Sequence, residues 1–459
     1  MANRYGSQSS AAVSSEGVVL DPLAAKSLTR DVAGDCMLMN NDALVRKVIW
    51  KIVPLLALIY LLSFLDRVNI GFAALTMNAD LHLTANEYGR AAGLFFGGYI
   101  LFAVPANLAM HRWGAKLWIS TITIVWGLVS LSSAFVSTPT EFYVVRFLLG
   151  SAESGFLPAV MLYFTYWFPP KVRGRIVASF FSAAPLSNVV GAPVSGWLLN
   201  HSIMGLKGWQ SMFLLEALPT VAFGIVAGLW LSDGPQTAKW LSATERNDLR
   251  RVLDENRQTQ LPHSSASGFK LAVWILGLQY FLLVVGLYGF GFWAPLIFQS
   301  VGHLSAQTIG LFVAIPYLAA ALCMYVWSRH SDRHGERFIH LSVAAFLAAA
   351  GFLIAGFSTS LPVVVLGFVL ATCGIYSACA VFWTLPSALV QGAAAASAIG
   401  FVNSLGNIAG YVGPAMMGEL RTSTGGYSMG INVMAISLLL AAALAIGLRW
   451  TSKPVITGG

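Results

Sequence analysis

Long apolar stretches separated by short polar segments make up most of the chain after its first forty-odd residues. A mostly apolar run of about 20 residues is long enough to cross the hydrocarbon core of a bilayer as an α-helix. We predict twelve membrane-spanning helices, at 48–76, 88–110, 116–136, 140–168, 174–200, 210–232, 271–298, 305–328, 338–358, 361–390, 396–418 and 428–449. The pattern therefore indicates an all-α, multi-pass membrane protein.

The longest polar segment between two spans divides the twelve into six and six. We predict an N-terminal tail at 1–45, a six-helix bundle at 46–232, a central loop at 233–270, a second bundle at 271–450 and a C-terminal tail at 451–459. A weak repeat relates the halves, because Arg112-Trp113-Gly114 after span two corresponds to Arg333-His334-Gly335 after span eight. Repeated halves are one architecture of secondary transporters, with the substrate site between them near mid-membrane. The N-terminal tail is polar, lacks a signal peptide's apolar core, and is expected to be loose.

Basic residues gather at one end of the predicted spans. The connections at the other end contain only Arg90, Lys207 and Arg421. Because Lys and Arg are enriched in cytoplasmic loops, both termini and the central loop are predicted to be cytoplasmic. This asymmetry also explains the formal net charge of +8, so no nucleic-acid partner is predicted.

The composition agrees with a membrane protein that carries no metal. Hydrophobic residues make up 57% of the chain and charged residues only 10%, against about 25% charged residues in a soluble domain. The four cysteines have spacings that suit neither a disulfide framework nor a zinc site. We expect a monomer in the lipid bilayer.

Four charged residues lie deep inside predicted spans one and four. Asp66 and Arg67 are neighbours in span one, and Arg146 and Glu153 lie seven positions apart in span four. An ionisable side chain near the bilayer centre costs several kcal/mol, so it usually faces a protein interior or water. Seven residues span about 10 Å of helix, and consecutive residues do not face each other. Partners must therefore come from another helix, from water or from a ligand.

These four side chains suggest a coupling mechanism. Their charges sum to zero when both carboxylates are ionised, and protonation of both leaves +2, which favours an anion. Arginine binds a carboxylate through a planar fork and stays charged, so proton binding and anion binding would promote each other. A buried ion-pair network that only fixes helix packing is the alternative. We predict proton-coupled transport of a small organic anion, with protons as the coupling ion and no cofactor.

The sequence around these charges resembles the anion:cation symporter family of the major facilitator superfamily. The matching stretches are 60–70, 98–107, 146–158 and 400–407, and the resemblance covers residues from about 47 to 450. It implies a two-bundle fold in a bacterial inner membrane, importing a carboxylate such as tartrate, an aromatic acid or a sugar acid. It also implies that Asp66 and Glu153 carry protons, and that Arg67, Arg146 and Tyr99 contact the anion.

Other polar and aromatic residues are weaker candidates. Asn403 could donate to an anion or serve as helix–helix packing. Tyr288 and Trp383 could contact substrate, or could be packing residues and interface anchors. Glu216 lies near the start of span six, where its charge suits a helix N-terminus, and is not predicted to carry protons.

A loop motif of the superfamily is recognisable at 328–337, and it implies a gating role for Asp332 and Arg333. The corresponding motif of the first half, at 107–116, has His111 at the usual acidic position. This departure puts the gate contact of the first half in doubt.

An enzyme is not predicted. The chain has neither a His-Glu-x-x-His motif nor a phosphate-binding loop. The letters Gly-x-Ser-x-Gly at 426–430 are in a predicted loop with no strand before them. A non-transporting nutrient sensor would need a folded cytoplasmic extension, and an uncoupled organic-anion facilitator or exchanger would not need both carboxylates. Both stay alternatives.

Overall fold

The computed structural model describes the backbone of residues 22–258, 271–386 and 393–456, and the side chains of 43–169, 172–254, 271–386 and 397–450. Within these ranges the chain forms α-helices, two single-turn 3-10 helices and their connections, and no strand. The predicted all-α class is confirmed. Residues 1–21, 259–270 and 457–459, which belong to the predicted tails and central loop, lie outside the described residues.

Fifteen α-helices are seen in the described backbone. The first half contains α1 (Pro22–Asp80), α2 (Ala85–Trp113), α3 (Ala115–Ser132), α4 (Pro139–Glu153), α5 (Phe156–Trp167), α6 (Pro170–Phe181), α7 (Ala183–Leu198), α8 (Gly208–Trp230) and α9 (Ala243–Gln258). The second half contains α10 (Leu271–Gly302), α11 (Ala306–His334), α12 (Phe338–Phe357), α13 (Leu361–Phe382), α14 (Ala393–Thr424) and α15 (Ser428–Ile456).

Eleven helical stretches in the described residues are long and apolar enough to cross a membrane. Eleven of the predicted spans correspond to them. The remaining one, 396–418, lies within α14, a 32-residue helix that is not among the eleven. The total of twelve spans therefore stays a prediction.

Two predicted spans are each divided into two helices. Span four breaks between α4 and α5, directly after Glu153, and span five breaks at Ser182 between α6 and α7. At the first break an added Cβ on Gly155 would lie only 2.6 Å from Nε1 of Trp118. Close packing against α3 thus requires a small residue where the helix turns, and Glu153 becomes the last residue of α4.

Two helices extend into segments that the sequence indicated as polar. α1 begins at Pro22, so it includes much of the expected loose tail; residues 24–39 are rich in Ala, Leu and Met, which favour helix. α9 lies in the central loop and begins at a capping box in which Ser242 and Glu245 exchange backbone-to-side-chain hydrogen bonds of 2.8 and 3.1 Å. Lys47 Nζ donates to Glu245 Oε1 at 2.7 Å and joins α9 to α1. That hydrogen bond is the main reason that the pKa of Glu245 is lowered.

The two halves approach each other backbone to backbone at the end of the molecule where α2 and α11 begin, which we call the closed end. A Cβ on Gly89 of α2 would lie 2.5 Å from the carbonyl oxygen of Pro414 in α14. Gly196 of α7 is packed equally tightly on the backbone of Ala306, at the start of α11. The helix pairs that join the halves most extensively are α2 with α14 and α7 with α11, whereas α6 packs mainly on α1, α5 and α7 of its own half.

Candidate functional site

A buried ion pair joins α1 to α4. Arg67 Nε donates to Oε1 of Glu153 at 2.9 Å, Nη2 donates to the same oxygen, and the side chains are 10% and 1% exposed. Ser63 Oγ also donates to Oε1, at 2.5 Å. Oε2 of Glu153 is buried and has no hydrogen-bond partner in the described part of the chain. The partner of Glu153 thus comes from another helix, as expected, and Oε2 is the oxygen available to a proton.

Arg146 is a buried cation with unused hydrogen-bond donors. Arg146 is 1% exposed, and its Nε and Nη2 have no hydrogen-bond partner among the described residues. The guanidinium carbon lies 5.4 Å from the centre of the Phe95 ring, a cation–π contact that offsets part of the desolvation cost. Since α4 is continuous from Pro139 to Glu153, Arg146 lies on the same face as Glu153, two turns away. A buried, unpaired charge of this kind favours an anionic partner.

Two tyrosines surround Arg67. The hydroxyl of Tyr288 in α10 accepts from Arg67 Nη1 at 3.3 Å, which is a direct polar contact between the two halves. Tyr99 of α2 places its ring centre 5.5 Å from the guanidinium carbon. The Tyr288 ring also packs on Phe96 of α2, with ring centres 4.6 Å apart. Residues of both halves therefore meet at the ion pair, as the two-half architecture predicts.

Trp383 and Asn403 lie apart from this contact. The Trp383 ring packs edge-on against Tyr280, with ring centres 4.8 Å apart. The Tyr280 ring in turn contacts α14 at Gly406, one turn from the partly exposed Asn403. No hydrogen bond or ring contact joins Trp383 or Asn403 to an arginine of the site within the described residues. A substrate role for these two residues stays a prediction.

Asp66 points away from the arginines, toward α3 and α8. Trp126 Nε1 donates to Oδ2 at 2.9 Å, Ser130 Oγ donates to Oδ1 at 2.8 Å, and Thr220 Oγ1 lies 3.4 Å from Oδ2. All three donors are neutral, and no ion pair to Asp66 is formed in the described ranges. The charge pattern of the sequence predicts Asp66 as one of four charges in one site. The fold instead separates it, because consecutive helical residues project in different directions.

Glu216 is a third buried carboxylate, and its position differs from the one expected. It lies more than two turns into α8 and is 4% exposed, so its charge is not at a helix N-terminus. Ser195 Oγ of α7 donates to Oε1 at 2.6 Å, and Asn69 Nδ2 of α1 donates to Oε2 at 2.9 Å. The sequence signal for this buried carboxylate is an acidic residue inside a predicted apolar span. Glu216 and Asp66 both lie along the contact between α1 and α8.

The proposed gating residues Asp332 and Arg333 are exposed in the last turn of α11. Asp332 Oδ1 accepts from Arg337 Nη1 at 2.5 Å, within the same half. In the part of the chain that the structure describes, neither forms an ion pair with the first half. Both residues lie at the end opposite the closed end, and the gating role stays a prediction.

Comparison with known proteins identifies the family. The family model of the Major Facilitator Superfamily matches residues 56–414 and 303–457. The chain belongs to this superfamily. A protein of Agrobacterium vitis named as a tartrate transporter is 43% identical over 425 residues, which cover 91% of this chain and 94% of that protein. The Pseudomonas putida protein NicT, named as a metabolite transport protein, is 43% identical over 415 residues, covering 89% and 95%.

The fold of the superfamily is also found in solved structures. A bacterial homologue of the human lysosomal transporter Spinster, in an inward-facing and occupied conformation, matches with a TM-score of 0.74 and 17% identity. The match covers 89% of this chain and 98% of that chain. At this identity the likeness shows the fold alone. The family and the sequence relatives show a membrane transporter and not an enzyme.

Proposed function

We propose that this protein is a proton-coupled symporter that imports a small organic carboxylate across a bacterial inner membrane by alternating access. The observation that carries the proposal is the buried Arg146, with its Nε and Nη2 unpartnered beside the Arg67–Glu153 pair. Nε and one terminal nitrogen form the edge of a guanidinium that binds a carboxylate through two parallel hydrogen bonds. The name of the Agrobacterium vitis relative, a tartrate transporter, supports a carboxylate substrate.

Competition for Arg67 would couple the proton to the anion. While Glu153 is ionised, it holds Arg67 through two donors of the guanidinium. A proton on Oε2 removes the charge of Glu153, so the contact with Arg67 loses its ion-pair attraction and becomes a hydrogen bond from a cation to a neutral group. The net charge of the three side chains Arg67, Arg146 and Glu153 is +2 − 1 = +1 before Glu153 is protonated and +2 afterwards. Protonation therefore raises anion affinity, and by linkage the bound anion favours protonation.

The conformation of the molecule supports a site that opens on one side at a time. The halves are in close backbone contact at the closed end, and most of the basic residues lie at the other end. Basic loops favour the cytoplasm, so this conformation would open the site inward. Tyr99, from α2, and Tyr288, from α10, would contact the anion from the two halves, since their rings already surround Arg67.

The decisive experiment is uptake into proteoliposomes. Tartrate, an aromatic carboxylate and a sugar acid are each offered with an inward proton gradient and again after a protonophore has collapsed it. We expect accumulation of at least one of them only with the gradient. Equal accumulation against a concentration gradient in both conditions would refute proton coupling, and equilibration without accumulation would favour the uncoupled facilitator.

Variants of Arg146 test the anion contact. Arg146→Lys keeps the charge but loses the planar fork, so we expect at least tenfold weaker substrate binding, and a larger loss for Arg146→Ala. Arg90→Lys, at an exposed position of α2, is the matched control and should bind as the parent does. Binding within twofold of the parent in folded Arg146→Ala would contradict the assignment.

Glu153→Gln separates coupling from binding. Glutamine resembles the protonated glutamate in shape and charge, so substrate binding and exchange of internal for external substrate should persist. Net accumulation driven by the proton gradient should be lost, because the proton can no longer leave. A Glu153→Gln protein that concentrates substrate as the parent does would show that Glu153 is not a coupling residue.

A further inference from the structure

Three histidines of the second half meet at the end of the molecule opposite the closed end. His330 and His334 lie in the last turns of α11, and His340 lies in the first turn of α12. One ring nitrogen from each residue lies within 4.8 Å of the other two. We propose that His330, His334 and His340 bind a divalent transition-metal ion of the Zn²⁺ class.

The outer hydrogen bonds of His334 and His340 leave one nitrogen of each ring as an acceptor. Nδ1 of His334 lies 2.9 Å from the carbonyl oxygen of His330. A carbonyl only accepts, so Nδ1 carries the proton and Nε2 of His334 keeps a free lone pair. Nδ1 of His340 lies 3.4 Å from Oε2 of Glu336, which leaves Nε2 of His340 as the second acceptor. That nitrogen accepts a hydrogen bond of 2.8 Å from Nδ1 of His330, the third ligand atom. A metal ion would replace this hydrogen bond once the His330 ring moves its proton to Nε2, which leaves a lone pair on Nδ1.

These nitrogens suit a metal in type and in spacing. Imidazole is a preferred ligand of Zn²⁺, Cu²⁺ and Ni²⁺. Zinc–nitrogen bonds of 2.0–2.1 Å at tetrahedral angles place ligand nitrogens roughly 3.3 Å apart. In the structure the ring nitrogens of the three histidines are separated by distances from 2.8 Å up to the 4.8 Å limit. The tetrahedral spacing lies within this range, so small movements of the rings would let all three nitrogens bind one ion. His330 and His334 are exposed, which leaves the fourth position to water.

Glu336 supplies the supporting contact that such sites use. A carboxylate that holds the outer N–H of a ligating histidine fixes the ring and raises its basicity, and Glu336 has this position behind His340. The arginines nearby oppose a dication, but two of them are paired with acids: Arg337 with Asp332 at 2.5 Å, and Arg449 with Glu336 at 3.6 Å. A bound ion would tie the end of α11 to the start of α12 and stiffen the loop that contains Asp332.

The test uses the full chain purified without a polyhistidine tag and stripped with a chelator. Zn²⁺ is titrated calorimetrically at pH 7.5, and Cu²⁺ is used as a paramagnetic probe. We expect one saturable site per chain and a Cu²⁺ spectrum that shows nitrogen ligands. His330→Ala and His334→Ala should each weaken binding at least tenfold, and Glu336→Gln by about 10- to 100-fold.

His111→Ala is the control, because His111 is an exposed histidine at the same end of the molecule. It should bind Zn²⁺ as the parent does. The proposal is overturned if neither ion binds saturably, or if His330→Ala and His334→Ala bind as tightly as the parent. These two positions are exposed, so the variants should fold even if the largely buried His340 does not tolerate replacement.

Discussion

Contact between the halves at the closed end depends on Gly89 in α2. In Gly89→Ala the new Cβ would lie 2.5 Å from the carbonyl oxygen of Pro414 and 3.1 Å from Cα of Gly418. Ordinary van der Waals contact begins at 3.4 Å, so α14 would have to move away by 3.4 − 2.5 = 0.9 Å. We expect the substitution to destabilise the conformation in which this end is closed, and to leave the fold of each half intact.

The size of the effect follows from the cost of overpacking. Inserting a methyl group into a well-packed contact costs about 1–3 kcal/mol, which corresponds to a roughly 5- to 150-fold change in an equilibrium. Gly97→Ala in the same helix is the matched control. Its Cβ would meet only Cδ1 of Leu94, at 3.6 Å, which is an ordinary contact. Alanine also favours helix over glycine by up to about 1 kcal/mol, so Gly97→Ala should be at least as stable as the parent.

Pulsed electron paramagnetic resonance measures the separation directly. Spin labels are placed at Met204 and Ser423, which are exposed at the closed end on opposite halves, after the four native cysteines are replaced. Gly89→Ala should shift the distance distribution to longer values, and Gly97→Ala should match the parent. If folded Gly89→Ala shows the parent distribution, close backbone approach is not what holds this end shut.

Three further predictions concern individual side chains. Asp66→Asn should leave the substrate affinity within about threefold of the parent value, because Asp66 makes no ion pair with the arginines among the described residues. The same variant should show reduced accumulation driven by a proton gradient. Glu216→Ala should lower thermal stability by about 1–3 kcal/mol, since it leaves the buried donors of Asn69 and Ser195 unpaired, whereas Glu216→Gln should be near neutral. The lowered pKa of Glu245 means that its contact with Lys47 stabilises α9 above the ordinary glutamate pKa, about 4.3, and is lost as pH falls through the lower folded value. A spin label on α9 should therefore become more mobile in acid, and Glu245→Gln should be equally mobile at pH 7.

The spans were predictable because the hydrocarbon core of a bilayer contains no water to which the backbone could hydrogen-bond. A segment without water must satisfy its own hydrogen bonds, so an apolar run of sufficient length becomes a helix. The breaks after Glu153 and at Ser182 were not predicted, although Gly155 and Pro158 follow the first and Pro185 follows the second. Proline cannot donate the helical hydrogen bond to the residue four positions before it, but it can kink a helix without dividing it. The close packing of Gly155 on Trp118 of another helix is a contact that a single segment does not reveal.

The residues of the site were predictable more readily than their partners. An arginine or a carboxylate inside an apolar span is conspicuous, and Arg67, Arg146 and Glu153 are buried in the structure. Their pairing depends on how each helix is rotated about its axis, which the charges alone do not determine. For this reason Asp66, adjacent to Arg67 in the chain, is directed toward Trp126 and not toward the Arg67–Glu153 pair.

The surroundings of Glu216 show how this half of the molecule can hold a buried carboxylate in either protonation state. Ionised Glu216 accepts from Nδ2 of Asn69, while Oδ1 of the same amide is buried without a hydrogen-bond partner in the described ranges. If Glu216 is protonated, a flip of the Asn69 amide presents Oδ1 as an acceptor for the new O–H, and Ser195 can accept or donate because a hydroxyl does both. No charged partner has to move, unlike at Glu153, where protonation weakens the hold on Arg67. The expected neutrality of Glu216→Gln follows from the same flip, since the glutamine amide would donate to Oδ1 of Asn69. A loss of stability in Glu216→Gln as large as in Glu216→Ala would show that Asn69 is fixed in one orientation and that Glu216 is held permanently in one charge state.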